Sequence, residues 1–237
     1  MKSMLLNHVA IIPDGNRRWA REKGVPLNEG HRIGAKTTQK IFEKALELKI
    51  PYLTFWAASY DNLIKRSQEE VNFLITLINA EFQRLIKDAR IHENEVRIRI
   101  LGRFQEVLPE KTLRIIEKLM KKTEDYKIFS LTFLLAYNGT DEMLEAIKRI
   151  AKEVKISTIK ITEELIKSFL WTRDLPPVDL VIRTGCQGDP HNSAGFMMWH
   201  TTYSQYYFTK TLYPDFTSEE FEKAVRNFKE RERRAGK

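Results

Sequence analysis

The chain has 237 residues, of which 42% are hydrophobic, and a formal net charge of +8 at pH 7. This length favours one large domain, and the excess of Lys and Arg favours an anionic partner such as a phosphorylated small molecule, an acidic lipid headgroup or nucleic acid. A single cysteine, Cys186, excludes an intrachain disulfide and a cysteine-based metal site. No apolar run approaches the length of a membrane span, and the segment before His8 is too short for a secretory signal, so we expect a cytoplasmic protein.

Apolar strand-like runs alternate with amphipathic helical segments along the chain. The predicted strands are His8–Pro13, Tyr52–Ala57, Arg97–Leu101, Ser130–Tyr137 and Asp179–Thr184. The predicted helices are Thr37–Leu48, Gln68–Lys87, Leu113–Lys121, Asp141–Lys152, Glu163–Phe169 and Ser218–Arg231. This alternation is typical of an α/β fold with a mainly parallel central sheet flanked by helices. Because no linker or repeat interrupts it, we expect a single domain over residues 1–237.

The helix predicted over Gln68–Lys87 carries a broad apolar face. Its members are Val71, Leu74, Ile75, Ile78, Phe82, Leu85 and Ile86, with Phe73 and Leu77 at its margins. Such a face is typical of a helix that packs on a sheet. The functional alternative is that part of it lines an apolar substrate tunnel above the sheet. The other walls would then come from Phe42, Leu46, Phe55, Trp56, Phe133 and Leu135.

The segment Asp14–Arg18, directly after the first predicted strand, combines a carboxylate with two arginines. Free N–H groups at the start of a helix favour anions, and arginine adds bidentate phosphate contacts. A carboxylate beside a phosphate site is well explained as a ligand of Mg²⁺, which prefers one or two carboxylates plus substrate phosphates. The alternative is a surface turn in which Asp14 or Asn16 caps the following helix.

Polar residues also follow the other predicted strands. They are Ser59, Asp61, Asn62, Lys65 and Arg66 after the second strand, Asn138 and Gly139 after the fourth, and Arg183, Thr184 and Gly185 at the end of the fifth. Ligands of open α/β sheets bind beyond the carboxyl ends of the strands, so these residues predict one cationic site. Taken alone, Arg183 could instead form a salt bridge to Asp179 or Glu142.

The histidines carry little information by themselves. None forms a metal-binding pair or belongs to a convincing Ser-His-Asp arrangement, and nucleotide-binding glycine motifs are absent from the sequence. The exception is His31, which follows soon after the first phosphate-binding segment and is predicted to belong to the site.

Taken in order, a set of motifs resembles the cis-prenyltransferase family, whose familiar members make undecaprenyl or dehydrodolichyl diphosphate. The motifs are His8–Arg21, Gly30-His31, Ser59 through Asn62 to Arg66, Glu69-Glu70-Val71, Val96–Arg99, Tyr137 with Gly139, Asp179–Gly185, Tyr207-Phe208 and Tyr213–Phe216. The resemblance extends from His8 to Lys237, which is nearly the whole chain.

The resemblance implies an α/β homodimer that joins two isoprenoid diphosphates with the help of Mg²⁺. Asp14 would hold the ion and act in catalysis with Asn16 and Asn62. The allylic diphosphate would bind through a group of residues that comprises Gly15, Arg17, Arg18, Trp19, His31 and Arg66. Arg183 would help to bind the second diphosphate, and Arg234 with Gly236 resembles the tail by which one subunit reaches the site of the other. Peripheral membrane contact is a further expectation, whereas nucleic acid is not, because no RNA-binding motif is present.

Several departures from the family pattern cluster at the second diphosphate site. Family members usually have Arg-Thr-Gly-Gly-Glu followed by Arg-x-Ser-Asn-Phe, but here the segment Arg183–Phe196 is longer, lacks the second arginine and has Gln187 in place of the acid. The departures elsewhere are Gln205 at the position of a glutamate that shares the Mg²⁺, Leu27 at that of an arginine and Leu63 at that of an aromatic residue. We therefore expect His191, Asn192 and Ser193 to form a rebuilt acceptor site.

Three functions remain open on this sequence. The favoured one is a divergent enzyme that joins an allylic diphosphate to a different acceptor, with a short and non-head-to-tail product. The second is a conventional enzyme that elongates a chain with isopentenyl diphosphate. The third is a non-catalytic partner subunit, although such subunits typically lose the first acidic motif, which is retained here as Asp14-Gly15-Asn16.

Overall fold

The structure is a computed structural model that describes residues 5–156 and 160–231. Within these residues, the strands are β1 (His8–Ile12), β2 (Tyr52–Ala58), β3 (Val96–Leu101), β4 (Phe129–Leu135), β5 (Leu180–Arg183) and β6 (Gln205–Phe208). They form one sheet in the order β3-β4-β2-β1-β5-β6, and every neighbouring pair is parallel. The predicted α/β fold with a parallel central sheet is confirmed.

Helices flank the sheet on both sides. Over the described residues they are α1 (Asn16–Glu22), α2 (Leu27–Glu47), α3 (Tyr60–Lys65), α4 (Gln68–Lys87), α5 (Ala89–Glu93), α6 (Glu110–Lys122), α7 (Gly139–Ile156), α8 (Glu163–Phe169) and α9 (Ser218–Glu230). Every residue of β1 and β5 is buried, as expected for strands covered on both faces. In the described ranges, no helix is both long enough and apolar enough to cross a membrane.

Two apolar clusters on opposite faces of the sheet make up the core. The alternation of side chains along β1 separates them, because Val9 and Ile11 belong to the cluster that includes residues of α2, α4, α6 and α9, whereas Ala10 and Ile12 belong to the other. The face toward α2 and α4 is the one on which a substrate tunnel was expected.

The sequence-based assignment of elements needs two kinds of correction. Helix α2 begins at Leu27, ten residues before the predicted start at Thr37, since glycines at positions 30 and 34 lower the helix propensity of that stretch. The short helices α3 and α5 and the edge strand β6 were not predicted, whereas a helix was expected where α1 begins. Strand β6 has four residues, all partly exposed, and therefore lacks the alternation that identifies a strand.

The order of the strands creates a switch point between β1 and β5. From β1 the chain passes to β2 on one side of β1, whereas β5 lies on its other side. Connections that leave a strand in opposite directions open a crevice at its carboxyl end, and ligands of α/β proteins bind in such crevices. Asp14 follows β1, and Arg183 is the last residue of β5.

Two buried histidines predict how stability depends on pH. Burial lowers the pKa of His8 from 6.5 to about 4, and burial together with repulsion from His8 and Lys167 lowers the pKa of His200 to about 4. Between these values the unfolded chain binds protons that the folded chain does not, so the free energy of unfolding falls as the pH falls from 6.5 toward 4. The loss is on the order of 3 kcal/mol for each histidine.

Chemical unfolding measured at a series of pH values tests this expectation. A His8→Gln variant should show a smaller loss of stability than the wild type over the same pH interval, whatever its absolute stability. An identical pH dependence in the two proteins would contradict the assignment.

Candidate active site

The carboxylate of Asp14 lies between two arginines at the switch point. Its Oδ2 is 3.2 Å from Nη2 of Arg183, and its Oδ1 is 3.3 Å from Nη2 of Arg18. Arg18 also donates a hydrogen bond from Nη2 to the carbonyl oxygen of Gly185, at 2.6 Å. The ends of β1 and β5 therefore converge here, as the sequence predicted, whereas Asn138 and Gly139 after β4 do not line the cavity over this turn.

The turn between β1 and α1 requires a glycine. Gly15 has φ of 115°, and a Cβ built on it would lie 2.8 Å from Cδ2 of Leu212. Gly15 is also the N-cap of α1, which has no side-chain capping hydrogen bond. The alternative of a surface turn capped by Asp14 or Asn16 is therefore wrong, and both side chains face other partners.

A cationic cavity of about 490 Å³ lies over this turn. Most of the predicted site residues line it, namely Asp14, Gly15, Asn16, Arg17, Arg18, His31, Asn62, Arg66, Arg183 and Ser193. Ser59, one of the polar residues predicted to contribute after the second strand, lines it as well, and so does Arg21, which was not predicted as a site residue. Asp14 is the one acidic residue of this lining among the described residues. The arrangement suits a ligand with several negative charges, such as a diphosphate.

Several predicted site residues lie elsewhere. Trp19 donates a hydrogen bond from Nε1 to Oδ1 of Asp215, at 2.8 Å, and Asn192 donates from Nδ2 to the carbonyl oxygen of Phe196, at 3.3 Å. Neither side chain lines the cationic cavity. Arg234 and Gly236 lie outside the described residues, so the predicted contact of the tail with a second subunit stays a prediction.

Glu70 is a buried carboxylate that organises one wall of the cavity, and its role was missed by the sequence analysis. Its Oε1 accepts hydrogen bonds from Nε2 of His31, at 3.0 Å, and from Nη1 of Arg66, at 2.9 Å, and it lies 3.8 Å from Nε of Arg17. Burial opposes ionisation of Glu70, but these three partners outweigh burial and hold its pKa below the ordinary value. The four-residue spacing of Arg66 and Glu70 on a helix start was the available signal.

His31 lines the cationic cavity, as predicted, and it also has a second role. Burial lowers its pKa, against the opposing effect of the hydrogen bond with Glu70. With Nε2 engaged by Glu70, this imidazole fixes the position of the carboxylate that holds Arg17 and Arg66. Its predicted contact with a substrate diphosphate stays a prediction.

An apolar cavity of about 150 Å³ adjoins the cationic cavity, between α2, α4 and the sheet. The two share the lining residues Pro13, Asn16, His31, Ala57, Ala58 and Leu74. Of the expected tunnel walls, Phe42, Phe55 and Phe133 line the apolar cavity, together with Leu74, Ile78, Phe82 and Leu85 of α4. Leu46 and Leu135 do not, and Trp56 lines the cationic cavity instead. A continuous tunnel stays a prediction.

Arg183 is bound to its own loop rather than to the partners first considered. Its Nη1 donates to the carbonyl oxygen of His191 and to Oγ of Ser193, both at 2.7 Å. Asp179 instead accepts hydrogen bonds from backbone N–H groups at the start of β1, and Glu142 accepts from Tyr137 and Thr172. The proposed salt bridges of Arg183 to those two acids are therefore wrong.

The same loop contains a Ser-His-Asp arrangement that the sequence analysis did not find. Oγ of Ser193 is 3.1 Å from Nε2 of His191, and Nδ1 of His191 is 3.0 Å from Oδ2 of Asp189. A spacing of two residues is that of one face of a strand, but no strand forms between β5 and β6, so the loop conformation brings the three side chains together.

The residues present allow a magnesium ion that arrives with a diphosphate. In the described part of the chain, no group of three or more His, Cys, Asp and Glu side chains could hold a metal ion alone. Mg²⁺ commonly combines one or two protein carboxylates with substrate phosphates, so the single carboxylate of Asp14 is sufficient on the protein side. Gln205 is paired in register with Leu180, and Leu180 with Val9, which places Gln205 roughly 16 Å along the strands from Asp14 of its own chain.

The chain is similar over nearly its whole length to proteins of known function. Residues 12–236 match a prenyltransferase family model described as "Putative undecaprenyl diphosphate synthase". The chain is 39% identical to a tritrans,polycis-undecaprenyl-diphosphate synthase (geranylgeranyl-diphosphate specific) of Pyrococcus horikoshii, over 99% of this chain and 88% of the relative. It is 41% identical to an isoprenyl transferase of Halalkalibacterium halodurans, over 99% and 90% of the two chains. The crystal structure of lavandulyl diphosphate synthase from Lavandula x intermedia, in complex with dimethylallyl diphosphate, is similar with a TM-score of 0.91, 30% identity and 98% coverage of both chains.

The contact between Gly34 and Asn16 gives a prediction for this site. A Cβ at Gly34 would lie 2.3 Å from Oδ1 of Asn16, a buried oxygen without a hydrogen-bond partner that borders both cavities. Gly34→Ala should therefore displace Asn16 and lower kcat/KM about 100-fold, the cost of a small misplacement at a reacting centre. In an Asn16→Ala background the same substitution should cost little, because the clashing oxygen is gone. Steady-state kinetics of the four proteins test this coupling, and additive effects would contradict it.

Proposed function

Since the chain belongs to the undecaprenyl diphosphate synthase family and is a prenyltransferase, we propose that it condenses an allylic prenyl diphosphate with a second small isoprenoid diphosphate. The observation that carries the proposal is the cationic cavity around Asp14, which borders an apolar cavity along shared residues. The first suits a diphosphate headgroup and the second suits a prenyl tail. A single molecule with both parts would place its reactive C–O bond at their border.

The residues at this border can assist ionisation of the allylic C–O bond. As the bond breaks, negative charge develops on the departing diphosphate, and Arg17, Arg18 and Arg66 lie in place to stabilise it. A magnesium ion, when held by Asp14, would supply further neutralisation of that charge. The apolar lining next to the site excludes water from the carbocation, which the alkene of the second substrate then attacks.

The surroundings of Arg183 support an altered acceptor site. Its contacts with His191, Ser193 and Asp14 direct most of its donors to the protein. The second diphosphate would then find fewer free donors on Arg183 and be held less firmly, so its alkene can face the carbocation through a different carbon. We propose a short product of one condensation, joined other than head to tail. The likeness to a lavandulyl diphosphate synthase bound to dimethylallyl diphosphate supports this choice.

A conventional function is the second candidate, because the curated relatives favour it. Those from Pyrococcus horikoshii and Thermoplasma volcanium are named as undecaprenyl diphosphate synthases specific for geranylgeranyl diphosphate. On that model, the chain would extend an allylic primer with isopentenyl diphosphate.

A non-catalytic partner subunit is disfavoured, because Asp14 lies in the cavity with the arginines. Cytoplasmic location, a homodimer and peripheral membrane contact remain part of the proposal.

Product analysis distinguishes the two candidates. The protein is incubated with Mg²⁺ and with pairwise mixtures of allylic diphosphates, dimethylallyl diphosphate and isopentenyl diphosphate, and products are identified by mass spectrometry and NMR. We expect one short product with dimethylallyl diphosphate accepted at the second site. Long polymers made from isopentenyl diphosphate and a primer would contradict this and establish chain elongation.

Loss of Asp14 tests the site itself. Asp14→Ala should lower kcat on the order of 10³-fold, the upper range for losing one group that stabilises developing charge. Asp61→Ala is the matched control, because Asp61 is an exposed acid on α3 that pairs with Lys65 outside the cavity. Near-normal turnover of the Asp14 variant, or an equal loss in the control, would refute the role of Asp14. Thermal unfolding of both variants checks that the fold is kept.

A further inference from the structure

The Ser193, His191 and Asp189 side chains form a hydrogen-bonded row, which we call the Ser193 array. Oγ of Ser193 lies 3.1 Å from Nε2 of His191, and Nδ1 of His191 lies 3.0 Å from Oδ2 of Asp189. Nδ1 is also 3.0 Å from the carbonyl oxygen of Asp189. The imidazole is thereby oriented with Nδ1–H toward Asp189 and with the lone pair of Nε2 toward Ser193. This is the order in which a histidine can accept a proton from a hydroxyl group.

The two ends of the Ser193 array lie in different surroundings. Ser193 lines the cationic cavity, whereas the side chains of His191 and Asp189 are 46% and 84% exposed. The array therefore runs through side chains from the lining of the cavity to the exposed surface of the loop. Such a connection matters in a site that must keep water from a carbocation while it releases protons.

Arg183 fixes the inner end of the array. Its Nη1 donates to Oγ of Ser193 and to the carbonyl oxygen of His191, both at 2.7 Å. Because Oγ accepts from Arg183, its own O–H remains to be donated to Nε2 of His191. The same guanidinium contacts Asp14 through Nη2. Arg183 thus fixes the position of the array relative to the carboxylate of Asp14.

We propose that the Ser193 array removes the proton that condensation releases, an inference that rests on the proposed function. The allylic C–O bond breaks and its electron pair leaves with the diphosphate. The π electrons of the acceptor alkene form the new C–C bond, and the electrons of an adjacent C–H bond form the new alkene. That proton passes to Oγ of Ser193 while the hydroxyl proton of Ser193 passes to Nε2 of His191. The resulting imidazolium then loses a proton to solvent.

Charged groups flank His191 on both sides. Asp189 on its outer side stabilises the imidazolium that the transfer forms. Arg183 lies on its inner side, and Asp14 lies beyond Arg183. These are the charged groups that the structure places along the array from its own loop, from β5 and from the turn after β1.

Single-turnover rates as a function of pH test the proposal. His191→Gln keeps a hydrogen-bonding side chain but cannot take up the proton, so the rate of the chemical step should fall by roughly 100-fold or more, the usual contribution of a positioned base. In the wild type the rate should fall at acidic pH, because a protonated His191 cannot take up the proton, and this dependence should vanish in the variant. His31 does not explain such a dependence, because burial lowers its pKa.

Two further variants separate proton transfer from support of the loop. In His191→Ala, added imidazole should restore a large part of the lost rate, since the exposed position leaves room for it. Lys210→Ala, an exposed position outside this loop, should react at the wild-type rate. Ser193→Ala should slow the chemical step as strongly as His191→Gln, because the proton enters the array at Ser193.

Each result supports or overturns the proposed role of the Ser193 array. Unchanged rates in His191→Gln, with an active wild type, would overturn the array and leave the proposed function standing. A slow variant that keeps the acidic dependence and is not rescued by imidazole would assign His191 to the support of Arg183 and would also overturn it. A wild-type protein that condenses no substrate pair would remove the proposed function and the array together.

Discussion

The gathering of cations at one end of a sheet is the constraint on which the rest of this structure depends. Like charges in a confined space repel one another, so the arginines need carboxylates to hold them in place before a ligand arrives. Asp14 forms ion pairs with Arg18 and Arg183, and Glu70 forms ion pairs with Arg17 and Arg66. The two carboxylates differ, since Glu70 is buried behind the wall and Asp14 faces the cavity. Glu70 therefore stays as a fixed support, whereas Asp14 is free to change partners when a ligand enters the cavity.

The two faces of β1 support different parts of the molecule around the cationic cavity. Val9 and Ile11 lie on the side of the sheet that packs against α2 and α4, where the apolar cavity is found. Ala10 and Ile12 pack on the opposite side, which supports the loop of Arg183 through Phe196. One short strand thus packs toward the helices of the apolar cavity on one face and supports the Arg183 loop on the other. The cationic cavity lies where the strand ends.

Sequence patterns predicted the sheet, most helices and the convergence of the strand ends, because these depend on local periodicity and on chain order. The start of α2 was wrong for a tertiary reason. Gly30 weakens a helix but is needed there, since a Cβ would lie 2.2 Å from the carbonyl oxygen of Asn16. The partners of Arg183 were wrong for a geometric reason, as Asp179 lies about 13 Å away along the strand. The contact between Ser193 and His191 was not predicted, because it depends on the conformation of the loop.

The wall shared by the two cavities bears on how such a protein changes over generations. Phe82 and Phe133 line only the apolar cavity, so their replacement alters the space for a tail while the headgroup contacts stay as they are. Arg18 lines only the cationic cavity, and the reverse holds for it. Asn16 and His31 line both. Tail preference and headgroup affinity can therefore drift independently at most positions and are inherited together only at the shared ones.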